Sequence, residues 1–172
     1  TFENFVVGPF NELAHAAAQA VVKKPGIAFN PLFIYGSTGH GKTHLIQAVG
    51  NQLKKLYPGK KVYYLTSERF VMDLLNAVNT ANFAPFKEKY RQYDVLIMDD
   101  VQFISQKERS QDELFHTFNV LYENNKQIVF SADKHPSLLM HIDERLKSRF
   151  SGGMIVDIPE PDHESRMAIL KA

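Results

Sequence analysis

Apolar residues gather in five short runs along the chain: Leu32–Tyr35, Val62–Leu65, Val95–Met98, Ile128–Ser131 and Ile155–Ile158. None alternates cleanly with polar neighbours, which suits strands buried on both faces, as in a parallel sheet. Stretches of helical periodicity fill the gaps. Asn11 to Val22 is rich in alanine, Thr43 to Leu56 is amphipathic, and Ser67 to Ala77 follows a plausible cap. Ser110-Gln111-Asp112-Glu113 has the form of a capping box before "LFHTFNVLYENN", and a shorter helix is expected over Asp143–Arg149. Strands taking turns with helices predict an α/β domain of three layers, a five-stranded parallel sheet with helices on both faces. One boundary is expected at Pro159–Pro161, which divides a core over 1–158 from a new helical unit over 159–172. The chain starts at Thr1 and stops within the helix-like "PDHESRMAILKA", so it is expected to be a piece of a longer protein.

Composition narrows the class. A chain of 172 residues that is 44% hydrophobic and 23% charged is suited to one compact domain. The net charge of +1 provides no global positive field, so any contact with nucleic acid has to come from local patches. Cysteine is absent, which excludes disulfides and thiolate metal sites and suits a reducing cytoplasm. No apolar run reaches 18 residues, so no membrane-spanning helix is expected.

The first strand stops in glycine. Gly36-Ser37-Thr38-Gly39-His40-Gly41-Lys42-Thr43 matches G-x-x-x-x-G-K-[ST], with a strand before it and a helix after it, as a phosphate loop requires. Glycines let main-chain N–H groups approach phosphate oxygens without a Cβ between them, and the helix N-terminus adds its positive end. Lys42 would reach the β- and γ-phosphates, and the Thr43 hydroxyl would hold Mg²⁺. Such a loop needs an acid at the end of another strand. "DVLIMDDVQF" offers Asp99 for the metal, through water, and Asp100 for the attacking water. The bland alternative for the pair is a solvated turn. A strand falls between Lys42 and Asp99 in the chain, which points to the ATPases with an additional strand, and no guanine-reading N-K-x-D is present. Ser131 and Asp133 end the next strand, where a polar group can report the γ-phosphate; a plain polar strand end is the competing account. Arg145 and Arg149 share a helix face, and spacing alone reads them as surface charges.

With these pieces in place the chain resembles the AAA+ ATPase core of the DnaA family of bacterial replication initiators. The likeness runs through "TFENFVVG", "NPLFIYG", "DVLIMDDVQF", "KERSQDELFHTFN", "NKQIVFSAD", "DERLKSRFSGG" and "PEPDHESRMAIL". The loop departs from the family's usual "GGVGLGKTH" at Ser37, Thr38 and His40, which are variable positions, so nucleotide binding is expected to survive. The resemblance implies a slow, switch-like ATPase using ATP or ADP and Mg²⁺. It implies adenine contacts by the backbone of Phe5, Val6 and Val7, and nucleotide contacts by Gly36, Thr38, Gly39, His40, Gly41, Lys42, Thr43 and His44. Thr43 and Asp99 would serve the metal, and Asp100 stands where most AAA+ proteins have glutamate. Arg149 would be an arginine finger reaching a neighbouring subunit's ATP, with Arg145 supporting assembly into an ATP-dependent filament. "SERFVMDLLNAVNTANFAPFKEKYRQYD" matches the helical insertion that marks initiators, with Leu75, Lys107 and Arg109 implied for single-stranded DNA. Lys87, Lys89 and Arg91 read equally as phosphate contacts or as ordinary surface charge. Origin DNA, the replicative helicase and clamp-linked regulators would be partners of the whole protein, working on the nucleoid. The competing functions are an AAA+ helicase loader and an inactive regulatory binding module related to initiators.

Overall fold

The structure is a computed structural model that describes residues 12–37 and 40–159. Phe5, Val6, Val7, Asn11, Thr38, Gly39 and the expected helical unit beyond Pro159 lie outside the described residues, as does the side chain of His40.

The chain runs through α1 (Glu12–Lys23), β1 (Leu32–Tyr35), α2 (His40–Leu56), β2 (Val62–Thr66), α3 (Ser67–Asn79), α4 (Ala84–Arg91), β3 (Val95–Asp99), α5 (Glu108–Glu123), β4 (Gln127–Ala132), α6 (Glu144–Phe150) and β5 (Met154–Asp157). Single 3₁₀ turns lie at Val101–Ile104 and Pro136–Leu138. The strands form one sheet in the order β2-β3-β4-β1-β5, with every neighbouring pair parallel. The central strands β3 and β4 are buried throughout, which explains their unbroken apolar runs.

Successive side chains on a strand point to opposite faces, so the sheet separates two cores. Leu32 and Ile34 of β1 join Ala14, Ala18, Val21 and Leu45 from α1 and α2 in an aliphatic layer. Phe33, between them in sequence, joins Phe70, Phe86, Tyr90, Phe118, Phe130 and Phe150 on the other face. The α3–α4 pair on that face is tied by the Asp73 carboxylate, which accepts from Tyr90 Oη at 2.6 Å and pairs with Lys89 Nζ at 2.8 Å. Burial alone would raise the Asp73 carboxyl. The Lys89 and Tyr90 hydrogen bonds outweigh that and hold it below the usual carboxylate range.

Most element boundaries shift by one or two residues from the sequence reading, and three of the differences bear on the site. The expected capping box is not used: α5 starts at Glu108, Lys107 occupies the cap position without a side-chain bond, and Ser110 is buried inside the helix. Gln111 accounts for the difference. Its amide donates to the carbonyls of Ile104 and His141 at 2.9 Å, and its oxygen accepts from the Asp143 N–H at 2.7 Å, so tertiary bonds secure the first turn. Helix α2 starts at His40, three residues before Thr43, which brings Gly41 and Lys42 into its first turn. Strand β5 sits one residue earlier than expected, and Ile158 follows it with its N–H on the Tyr35 carbonyl at 2.8 Å.

Candidate functional site

Parallel strands present all their C-terminal ends on one edge of the sheet, and that edge collects the chemistry. The strand separating the glycine loop from the acids in space is β4. β2, which intervenes in the chain, lies at the outer edge. Ser131, near the end of β4, is thereby placed between β1 and β3.

Gly36 ends β1 with its N–H on the Ala132 carbonyl at 3.1 Å. A Cβ at Gly36 would stand 2.5 Å from the Ile158 carbonyl oxygen, so close backbone packing demands glycine there. Gly41 is different. Among the described residues, a Cβ there would meet only the Ile158 Cγ2, at 3.4 Å, which is ordinary contact.

Helix α2 delivers Lys42 and Thr43 to the acids. Lys42 is buried, and its Nζ lies 3.4 Å from Asp100 Oδ1. The Thr43 hydroxyl lies 3.4 Å from Asp99 Oδ2. Asp99 is buried and receives two more hydroxyls: Tyr64 Oη donates to Oδ2 at 2.8 Å, and Ser131 Oγ donates to Oδ1. Burial pushes the Tyr64 phenol up and the Asp99 carboxylate pushes it further, so it stays a protonated donor. Asp100 is partly open, with 31% of its side chain exposed. Its backbone is left-handed, at φ 58° and ψ 53°. The Ser131 hydroxyl proton is committed to Asp99 while its oxygen accepts the Asp100 N–H at 2.9 Å. Asp133 keeps a buried Oδ1 with no partner among the described residues, so it is the freer of the two polar groups at the end of β4.

A Thr hydroxyl beside a carboxylate is an all-oxygen donor set suited to a hard divalent cation. Among the described residues no group of three or more His, Cys, Asp or Glu could hold a metal without help. Mg²⁺ in nucleotide sites takes one or two carboxylates and completes its shell with phosphate and water, so the residues present fit it. His44 continues α2 after Thr43.

The remaining candidates lie on other surfaces. Arg145 and Arg149 are exposed on α6 and flank one ring, Phe115, at 4.8 and 5.5 Å. Arg145 is engaged by Asp112 and Asp143, each at 3.2 Å, whereas no carboxylate among the described residues pairs with Arg149. Leu75 is 54% exposed on α3. Lys107 Nζ donates to the Phe103 carbonyl at 3.0 Å, and Arg109 stacks on Phe83 in the α3–α4 loop at 5.1 Å. Lys87 and Arg91 face solvent, but Lys89 is bound to Asp73 and lies 5.1 Å from the Tyr63 ring, which makes it a structural cation. Sequence reasoning missed Tyr64 and Ser67. Each acts through a single hydroxyl, Tyr64 on the Asp99 carboxylate and Ser67 on the Asp100 main-chain carbonyl, more than 30 residues away, and no local pattern encodes that.

The profile of the bacterial DnaA ATPase domain matches residues 1–157. The chromosomal replication initiator protein DnaA of Thermus thermophilus is 54% identical over 171 residues, 99% of this chain and 39% of that protein. This chain therefore spans about two-fifths of the length of the curated relatives it matches. Domain III of the Thermotoga maritima initiator DnaA superposes with a TM-score of 0.97 at 47% identity, covering 99% of this chain and 71% of that one. A replication initiator DnaA bound to AMPPCP and single-stranded DNA superposes at 0.93 with 44% identity, over 99% of this chain and 53% of that one. The DnaC helicase loader, 16% identical with a TM-score of 0.75 over 90% of this chain and 92% of its own, shares the fold alone.

Proposed function

The chain belongs to the bacterial DnaA ATPase-domain family, and from that premise we propose that it is the ATP-dependent switch of a chromosomal replication initiator. The convergence of Lys42 on Asp100 and of Thr43 on Asp99 carries this reading, because it joins the phosphate-gripping and metal-holding groups across the sheet edge. Main-chain amides of the glycine loop and the buried Lys42 ammonium bind the phosphates of ATP. Thr43 and Asp99 hold Mg²⁺, which supplies charge neutralisation at the phosphates when bound. Asp100 orients the attacking water, and a carboxylate one methylene shorter than glutamate makes that step slow. Asp133 faces the γ-phosphate as sensor.

Arg149, exposed and without a carboxylate among the described residues, supplies its charge to the ATP of the next subunit, so that assembly reads nucleotide state. Leu75, Lys107 and Arg109 contact single-stranded DNA. The whole protein acts on origin DNA in the cytoplasm, with the helicase and clamp-linked regulators as partners. The helicase-loader reading is weaker, since likeness to a loader stops at the fold. An inactive binding module is opposed by intact Lys42, Asp99 and Asp100.

Titration with fluorescently labelled ATP and ADP, with and without Mg²⁺, tests the reading. Saturable binding that tightens with Mg²⁺ and disappears in K42A is expected. Equal binding by K42A, or none by the wild type, would overturn it.

A further inference from the structure

Asp100 occupies a backbone region that side chains other than those of glycine, asparagine and aspartate seldom adopt, so something has to keep it there. Two buried serines do so from opposite sides. Its N–H donates to Ser131 Oγ at 2.9 Å, and its carbonyl accepts from Ser67 Oγ at 2.6 Å. The carbonyl also accepts the Phe103 N–H at 3.2 Å, the start of the 3₁₀ turn. Ser67 is the first residue of α3, completely buried, and it reaches Asp100 because parallel pairing of β2 with β3 sets Thr66 opposite Asp99. Helix α3 does not need this hydroxyl for its own end. Thr66 already caps it, accepting the Arg69 N–H at 3.2 Å. The Ser67 proton is thus directed across the sheet edge at the peptide that aims the Asp100 carboxylate.

We propose that Ser67 is a positioning residue for the hydrolytic step, clamping the left-handed turn that directs Asp100 at its water. The proposal rests on the reading of Asp100 as the water-orienting acid. Ser67 bonds to the main chain of Asp100 and not to its carboxylate, which is the group that meets Lys42 at 3.4 Å, so loss of its hydroxyl lowers turnover more than nucleotide affinity. Without the bond, the Asp100 carbonyl keeps only the longer 3₁₀ partner, and a displacement of the carboxylate by a fraction of an ångström slows a step that depends on alignment. The same bond joins the first turn of α3 to the acid, so the helix bearing Leu75 is anchored at its N-terminus on the hydrolytic centre.

The test compares wild type, S67A and S67C at the protein's full natural length, with two readouts: the Kd for labelled ATP·Mg²⁺ and the single-turnover rate of γ-phosphate release. S67C nearly preserves volume while offering a weaker donor. The expected rates fall in the order Ser, Cys, Ala, with S67A about tenfold slow and all three Kd values within twofold. A crystal structure of S67A should show Asp100 out of the left-handed region. Wild-type hydrolysis by S67A, or a loss of ATP affinity as large as the loss of rate, would overturn the proposal. If S67A does not fold, wild-type turnover by S67C overturns it equally. A wild type that binds no ATP, or K42A that still binds, would instead refute the underlying assignment of the site, in a titration that does not involve Ser67.

Discussion

Replacing Gly41 by alanine should push stability and ligand affinity in opposite directions. Among the described residues the added methyl would meet only Ile158 Cγ2, at 3.4 Å, and Gly41 sits in the first turn of α2 without a positive φ. Alanine is the better helix former by about 1 kcal/mol in a helix interior, and by roughly half that near an end, so the nucleotide-free protein should gain about 0.5 kcal/mol. For a chain of this size that raises the Tm by about 1–2 °C. The methyl also enters the space through which amides reach phosphate oxygens. Loss of one or two charge-assisted hydrogen bonds costs about 3 kcal/mol, which is about a hundredfold in Kd. Thermal melts without nucleotide and titration with labelled ATP read the two effects separately. G36A is the contrasting control: its methyl would stand 2.5 Å from the Ile158 carbonyl oxygen, and the clash should destabilise by about 2 kcal/mol or more. The reasoning is refuted if G41A is destabilised as much as G36A, or if it binds ATP within threefold of wild type.

Other outcomes follow from the same geometry. D73N should lose about 1–3 kcal/mol at pH 7 in urea melts, because it weakens the bonds to Lys89 and Tyr90 at a largely buried site. The Asp73 carboxyl is held below its ordinary value, so its contribution is complete above about pH 4 and is lost as pH falls through the folded value; the gap to wild type should close there. Y64F removes one of the hydroxyls fixing Asp99, and should weaken Mg²⁺-dependent ATP binding several-fold while leaving binding in EDTA unchanged. R149A should bind ATP within twofold of wild type yet fail to assemble with it, as light scattering would report. R109A should lower affinity for single-stranded DNA and flatten the salt dependence by about 0.7 in log–log slope, if one phosphate contact is lost.

The five strands were legible because parallel strands buried on both faces write themselves as apolar runs, and the phosphate loop because its residues are contiguous. Ser110 shows where this fails. S-x-x-E is a local signature, but Gln111 within it is committed to three backbone groups outside the helix, two of them about 30 residues away, and those bonds decide where α5 begins. The order of strands was hidden for a similar reason: chain order places β2 between the loop and the acids, whereas the wholly buried β4 stands there in the sheet. Lys89 read equally as a phosphate contact or as surface charge because periodicity cannot reveal Asp73, sixteen residues earlier, as its partner. The hydroxyls of Tyr64 and Ser67 are the extreme case, since tyrosine and serine carry no mark of the carboxylate or carbonyl they will meet.

The division of the interior into an aliphatic layer and an aromatic one has a practical result for anyone watching this protein unfold. Tryptophan is absent, and most of the fully buried rings lie on the side of α3 to α6. Near-ultraviolet circular dichroism therefore follows chiefly that half of the molecule, while the alanine-rich packing of α1 against α2 is almost silent. A transition recorded only by ring ellipticity would miss early loosening on the phosphate-loop side. Far-ultraviolet signal recorded in parallel would reveal whether the halves come apart together.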